Sequence, residues 1–451
     1  MCGQGSSIVT APTTSRGPLT LDTLDITTTA LYVERGYPWE AWDLLRREAP
    51  VYWYERPGFE PFWAITKYHD IAWISRNPQI FSNGQRLRLA ELPPYSRDVE
   101  LMEDRDQRYR PAEDEPPDLV FMDPPGHNKY RAIVSKFFTP RAMTQLEAHL
   151  DEMATHYVGT FATELAGRLR EHTGTTTDFV RECAAKLPVA TICEMADVPR
   201  EDWDRVFRWT EVLVGAADPE YHEDGKNWRE TARENIHAWY DYMEWLIERR
   251  REAGLTGDDL LSTLLRAEFQ GRPLTPREIM SYIILLLAAG NETTRNSLTG
   301  GVHALIEHPD QLQRLVEDPS LVEPAVEEIL RWTSVVIQFV RTATQDTEIR
   351  GQRIRKGESL AMWYPSANRD EEVFDDPYRF DIARHPNEHF AFGGYGEHFC
   401  LGANLARWEM RTMLRELIPL LPRLELAGEP QRLLGQLHVG GIKHLPVRLR
   451  P

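Results

Sequence analysis
Phe390-Ala-Phe-Gly-Gly-Tyr-Gly-Glu-His-Phe-Cys400-Leu-Gly-Ala-Asn-Leu-Ala-Arg407 is the stretch whose reading decides the fold. Glycines fill its first half, and a single cysteine stands where a helical pattern begins. After it, Leu401, Leu405, Trp408, Met413, Leu414 and Leu417 recur at roughly helical spacing. The pattern predicts Cys400 at a helix N-terminus, where free N–H groups and the helix dipole favour negative charge. A thiol in that position is expected to ionise easily. Gly393, Gly394, Gly396 and Gly402 remove side-chain bulk, so the backbone can approach a flat partner closely. A lone cysteine is more often a small core residue. Framed by these glycines and this helix, Cys400 reads as a thiolate presented to a metal.

Composition narrows the classes around that loop. The 451 residues are enough for two or three domains of roughly 150 residues, or for one large domain. No linker argues for a split, so 21–451 is expected to form a single domain behind a disordered segment, 1–20, rich in Ser, Thr, Gly and Pro. The 41% hydrophobic content can fill a sizeable core. A net charge of −18 argues against nucleic acid and anionic membrane as partners. Cys2, Cys183, Cys193 and Cys400 show no disulfide or metal-ligand spacing, which fits a reducing, cytoplasmic setting. Met1 to Gly17 contains no apolar run of the signal-peptide kind. The most apolar segment, Ile279 to Gly290, is about 12 residues, and a membrane span needs about 20.

Along the chain the pattern is mainly α with a small β region. Trp39 to Glu48 and His69 to Arg76 read as helices. Val51 to Tyr54 and Phe62 to Thr66 read as a hairpin about Pro57-Gly58. Arg86 to Pro117 is charged and broken by prolines, so a loop or lid is expected there. Helical periodicity then covers Pro125–Phe138, Arg141–Leu169, Phe179–Asp197, Trp203–Val214, Trp228–Glu252, Gly257–Glu268 and Thr275–His308. Strand character returns at Phe339–Thr344, Glu348–Ile354 and Ser359–Trp363. The elements do not alternate β-α-β as in a nucleotide-binding fold.

Three further motifs carry chemistry. Ala288-Ala-Gly-Asn-Glu-Thr-Thr294 places an acid and two hydroxyls inside an apolar helix, a costly arrangement unless they have partners. Gly290 weakens that helix by about 1 kcal/mol relative to alanine, and Thr293 can divert a backbone hydrogen bond. Glu328 and Arg331, three apart, share a helix face. His127 and Arg131, four apart, share another, and they follow Met122-Asp-Pro-Pro125.

With these motifs in this order, the chain resembles the cytochrome P-450 monooxygenases over roughly Tyr37 to Leu449. The resemblance implies the P-450 fold, a triangular helical prism around a buried haem. It makes Cys400 the axial thiolate of haem b, with Phe392 and Gly394 in the cofactor loop. It places Gly290 where dioxygen needs room, and gives Glu292 and Thr293 the role of delivering protons. It assigns the haem propionates to His127, Arg131, Arg341 and His398. It buries Glu328 with Arg331 as a structural brace, joined by a second arginine, Arg384, with Arg379 the alternative. Phe392 lies one residue further from the cysteine than is usual, a spacing found in actinobacterial sterol and methyl-branched-lipid hydroxylases. Gly290–Asn296, Ser366–Asp370 and Gly441-Ile-Lys-His444 point to the same group.

The implied activity is hydroxylation of a small hydrophobic substrate (a sterol, methyl-branched lipid or terpenoid) by dioxygen and two electrons. The chain has no flavin or NAD domain of its own, so a ferredoxin and a ferredoxin reductase are the expected donors. Expected substrate walls are the 86–121 lid, Trp209–Val214, Leu286–Ala289 and Val335–Val340, with Leu286, Ala289, Val336 and Val340 the named contacts. Val335 stands where relatives often carry proline. A peroxide-driven peroxygenase on the same fold tends to lack the Glu292-Thr293 pair, and a haem-based gas sensor has no need of it.

Overall fold
In a computed structural model, the apolar run after Thr275 forms one continuous helix, Pro276–Glu307. The structure describes residues 18–84, 86–89, 117–171, 176–215, 218–222, 226–434 and 437–450. The long helix starts with a complete capping box. The Thr275 hydroxyl accepts from the Glu278 N–H at 3.2 Å, and the Glu278 carboxylate accepts from the Thr275 N–H at 2.7 Å. Pro276 follows the cap, where its missing N–H costs nothing.

The helices are α1 (Thr29–Arg35), α2 (Trp39–Glu48), α3 (Tyr68–Arg76), α4 (Gly126–Ser135), α5 (Pro140–Glu171), α6 (Lys186–Met195) and α7 (Trp203–Gly215). There follow α8 (Trp228–Ala253), α9 (Leu260–Arg266), α10 (Pro276–Glu307), α11 (Pro309–Glu317), α12 (Val322–Thr333), α13 (Tyr364–Ala367) and α14 (Ala403–Leu417). Helix α10 runs through the middle of this set and packs against α6, α7, α12 and α14. Its apolar residues, with those of α4 to α9 and α14, form the largest core cluster.

One five-stranded sheet stands beside the helices. Its strands are β1 (Val51–Tyr54), β2 (Phe62–Ile65), β3 (Phe81–Ser82), β4 (Gln338–Ala343) and β5 (Ser359–Trp363), in the order β1-β2-β5-β4-β3. Strands β1 and β2 form the expected hairpin, with Val51 opposite Ile65. Strand β5 runs parallel to β2 and antiparallel to β4. A separate core cluster around Trp42, Tyr54 and Trp363 attaches α2 to this sheet.

Three expectations change on contact with the structure. The helix expected over Phe179–Asp197 is split into a π-turn, Val180–Ala184, and α6. Pro188 has no N–H for the carbonyl four residues back, and its ring crowds that turn. The helix after the cysteine begins at Ala403 with Gly402 as its N-cap, so Cys400 lies before the first turn. The α9 helix is shorter than its apolar pattern, because the Asp259 carboxylate caps it by accepting from the Ser262 N–H at 2.7 Å. Residues 1–17 of the N-terminal segment and 90–116 of the lid lie outside the described residues. Among the described residues, no helix is long and apolar enough to cross a membrane.

Candidate active site
The loop before α14 is held by close backbone approaches. A Cβ on Gly394 would lie 1.8 Å from the Phe390 ring, and one on Gly396 would lie 2.1 Å from the Ser75 carbonyl oxygen. Both residues have positive φ, at +74° and +119°, so their side-chain-free backbone is required twice over. The Cys400 N–H donates to the Phe392 carbonyl at 3.0 Å. The Phe392 ring lies under the Arg407 guanidinium, 4.4 Å away, and Arg407 is itself pinned by both oxygens of Glu327. The thiol does not ionise as readily as expected. Burial pushes its pKa up, against the opposing pull of the Gly402 N–H, Arg131 and Arg407. Desolvation of the sulfur outweighs those three pulls.

Four basic side chains gather beside this loop. His127 from α4 and His398 from the loop stack with ring centroids 4.0 Å apart. Arg131, one turn along α4, and Arg341 from β4 complete the set. None of the four is paired with a carboxylate among the described residues. Arg341 is buried, and among the described residues its guanidinium donates only to its neighbour's carbonyl, Val340, at 3.0 Å. His398 Nε2 is buried with no hydrogen-bond partner among the described residues. Burial lowers the pKa of all four groups. For His398 it does so together with repulsion from Arg341, His127 and Arg131, down to about 2. Mutually repelling, desolvated cations are costly unless an anion joins them. A group bearing two carboxylates fits this set.

Glu328 and Arg331 are both fully buried in α12. Arg331 donates to both Glu328 oxygens, at 2.7 and 2.8 Å. Arg384 supplies the third member, with its Nε 3.2 Å from Glu328. Arg379 contributes its carbonyl oxygen, which accepts from both arginines. The Asn387 side chain and the Asp381 N–H also donate to Glu328, tying it to the chain that leads into the cysteine loop. Asn368 completes the link. Its carbonyl accepts from Arg331 and its side-chain oxygen from the Phe390 N–H. The Ser366–Asp370 motif thus has a bracing position that spacing alone did not reveal.

Midway along α10 the burial pattern breaks. Leu286 and Leu287 are buried, Ala289 is exposed, and Thr293 one turn later is half-buried. Ala289 and Thr293 therefore line one open stripe of a helix that is otherwise packed. The Thr293 hydroxyl donates to the Ala289 carbonyl at 2.7 Å. The space left by Gly290 faces Ile192 of α6, 3.5 Å from where a Cβ would stand. Glu292 points away from the open stripe and is buried. It is bonded to Arg295, which also reaches Glu211 of α7 at 3.2 Å. Burial raises the Glu292 pKa to about 7; Arg295 opposes the rise and Glu211 adds to it. Arg295 and Glu211 were not picked out in the sequence, although Arg295 lies three residues after Glu292 on the same helix face.

The named substrate contacts separate. Val336 is half-buried, Leu286 nearly covered and Ala289 exposed. Val340 is fully buried and belongs to the core cluster of Ala361 and Trp363. Strand alternation turns Phe339 to the opposite face, shared with Arg341.

Glu409 of α14 is a buried acid with no cation paired to it among the described residues. It is hydrogen-bonded with Thr191 of α6 and Thr294 of α10, and burial raises its pKa to about 8. The Thr191 proton is committed to the Leu187 carbonyl, so a protonated Glu409 can donate to Thr191. A carboxyl whose folded pKa lies above its unfolded value of 4.5 stabilises most below 4.5 and loses that contribution as pH rises through 8. Glu409→Gln keeps the donor and removes the titration. Thermal midpoints measured between pH 5 and 9 are expected to fall less steeply in the variant than in wild type. Parallel curves would mean that Glu409 is already ionised in the fold.

A family model described as Cytochrome P450 matches residues 102–421 of this chain. The chain belongs to the cytochrome P450 family. It is 42% identical over 414 residues to the methyl-branched lipid omega-hydroxylase of Mycobacterium tuberculosis, covering 90% of each chain. It is 35% identical to the steroid C26-monooxygenase of Rhodococcus jostii, covering 94% of this chain and 84% of the other. Its fold superposes on a Mycobacterium marinum cytochrome P450 solved with pseudoionone at a TM-score of 0.81 and 34% identity, covering 96% of this chain and 99% of that one. Members of the family are haem-thiolate monooxygenases, and this P450 is an enzyme of that kind.

Proposed function
We propose that this P450 hydroxylates a sterol, methyl-branched lipid or terpenoid, taking electrons from a ferredoxin and its reductase in the cytoplasm, with 21–451 working as one domain. The observation that carries the reading is the pairing of an open Ala289–Thr293 stripe with a buried acid, Glu292, poised near neutral pH. Cys400 is the residue that would ligate haem iron, and His127, Arg131, Arg341 and His398 would hold the propionates. When bound, haem with a cysteine thiolate activates dioxygen, so that one oxygen atom enters a C–H bond and the other leaves as water.

The protein's own residues provide the remainder. Thr293 commits its hydroxyl proton to the Ala289 carbonyl, so its oxygen lone pairs stay available to hold a proton donor in the open stripe. Glu292, buried and near pKa 7, can give and regain a proton at neutral pH, and Arg295 and Glu211 set how tightly it holds that proton. Glu328, Arg331 and Arg384 fix the approach to the cysteine loop.

Thr293→Ala tests the proton arrangement. The hydroxyl is bonded within its own helix, so substrate affinity is expected to change little. Positioned proton transfer is worth about 10²–10⁴-fold. In a system reconstituted with a surrogate ferredoxin and reductase, the product formed per NAD(P)H consumed is expected to fall, with hydrogen peroxide rising in step. Unchanged coupling would move proton delivery away from Thr293. Full activity with peroxide alone, and none with the reductase system, would favour a peroxygenase.

A further inference from the structure
His438 is a histidine that none of the roles above uses. It sits in the C-terminal segment that returns to the start of β4, and its backbone is clamped there on both sides. The Ile337 N–H donates to the His438 carbonyl at 2.9 Å, the Gly440 N–H to Val335 at 2.8 Å, and the Gln338 side chain to the Leu437 carbonyl at 3.0 Å. Val336 and Val439 form a bridge beside them. The imidazole meets the Phe339 ring edge-on, with centroids 4.7 Å apart. Phe339 lies on the β4 face that also carries Arg341, the face turned toward the basic cluster. The ring is therefore held beside Phe339, on the strand face that carries Arg341, and next to Val336, one of the expected substrate contacts.

Its hydrogen bonding fixes what it can recognise. Nδ1 lies 3.0 Å from the Gln338 carbonyl oxygen, which can only accept, so Nδ1 carries the proton. Nε2 has no hydrogen-bond partner among the described residues. Burial, with Arg88 nearby, pushes the pKa down to about 4, so the ring is neutral at physiological pH. A neutral imidazole with Nδ1 protonated presents a bare lone pair at Nε2, which calls for a donor.

We propose that His438 Nε2 is a specificity-determining acceptor for a hydroxyl group on the hydrophobic substrate, at a position other than the carbon that is oxidised. The proposal rests on the hydroxylase reading above. It distinguishes alcohols from their ketone, ether and acid analogues, because at neutral pH the ketone and ether have no donor and the acid is an acceptor-only carboxylate.

The test uses haem-loaded protein and two scaffolds. These are cholesterol with its 3-methyl ether and its 4-en-3-one, and farnesol with its methyl ether and farnesoic acid. Affinity is read from the Soret shift and, independently, by equilibrium dialysis. Wild type is expected to bind at least one alcohol roughly 10-fold more tightly than its ether, the size of one well-formed hydrogen bond. His438→Phe should erase that preference, and His438→Gln, whose amide oxygen accepts, should restore part of it. Haem content and thermal midpoint check that each variant folds. An alcohol preference that survives in His438→Phe overturns the proposal, as does wild type favouring neither alcohol or favouring the acid. Turnover is scored separately: absence of reductase-dependent product with every ligand would strike the hydroxylase reading and leave the alcohol-to-ether ratio to judge His438.

Discussion

Glu328→Ala is expected to give mostly insoluble or haem-free protein. The carboxylate is fully buried and accepts from Arg331, Arg384, Asn387 and the Asp381 backbone. Removing it strands two guanidinium groups and two further donors in the interior at once. Breaking one buried ion pair from a single side costs roughly 3–5 kcal/mol. That is a large fraction of the 5–15 kcal/mol by which domains are stable. Arg331→Ala should be nearly as damaging, since it also unties the carbonyls of Asn368 and Pro377. Glu328→Gln keeps the shape and one acceptor, so it should lie between alanine and wild type. Haem-to-protein ratio and thermal midpoint are the measurements. Wild-type values for both in Glu328→Ala would show that the cysteine loop is held by its own glycines and by Arg407–Glu327, without the brace.

Much of this site is legible in the sequence because its parts are local. Glu328–Arg331 and His127–Arg131 follow from helical spacing, and the Gly-rich turn before Cys400 lies beside the thiol it positions. Arg384, expected ahead of Arg379, sends its guanidinium to Glu328, whereas Arg379 offers its carbonyl to Arg331. What the sequence hides is of two kinds. Partners far apart along the chain, such as Glu211 with Arg295 or Thr191 with Glu409, leave no periodic trace. Strand facing is hidden for a different reason. Residues 335–340 are apolar apart from Gln338, so alternation carries no sign of which face is open. Val336 and Val340 look equivalent on paper, yet Val340 is sealed in the core and Phe339 holds the open face. The thiol follows the same logic. The apolar residues after Cys400 mark a helix, but its first hydrogen-bonded turn is set by where Gly402 caps it.

Cys400→Ser should abolish the red-shifted Soret band of the reduced carbonyl complex, the largest spectral change expected of any single substitution here. That band requires a thiolate ligand to the iron, and a serine hydroxyl would be a far poorer donor. Haem need not be lost with it. The four basic side chains that fit the propionates lie on α4, β4 and the loop, and none depends on the sulfur for its position. A variant that keeps haem without the band therefore separates ligation of iron from retention of the cofactor. Cys183 and Cys193 supply the controls. Both are buried among apolar side chains, and burial pushes their thiols well up, so neither can readily become a thiolate ligand. Cys183→Ser and Cys193→Ser should keep the band. If it persists in Cys400→Ser, the iron ligand is another cysteine and the glycine turn serves packing alone.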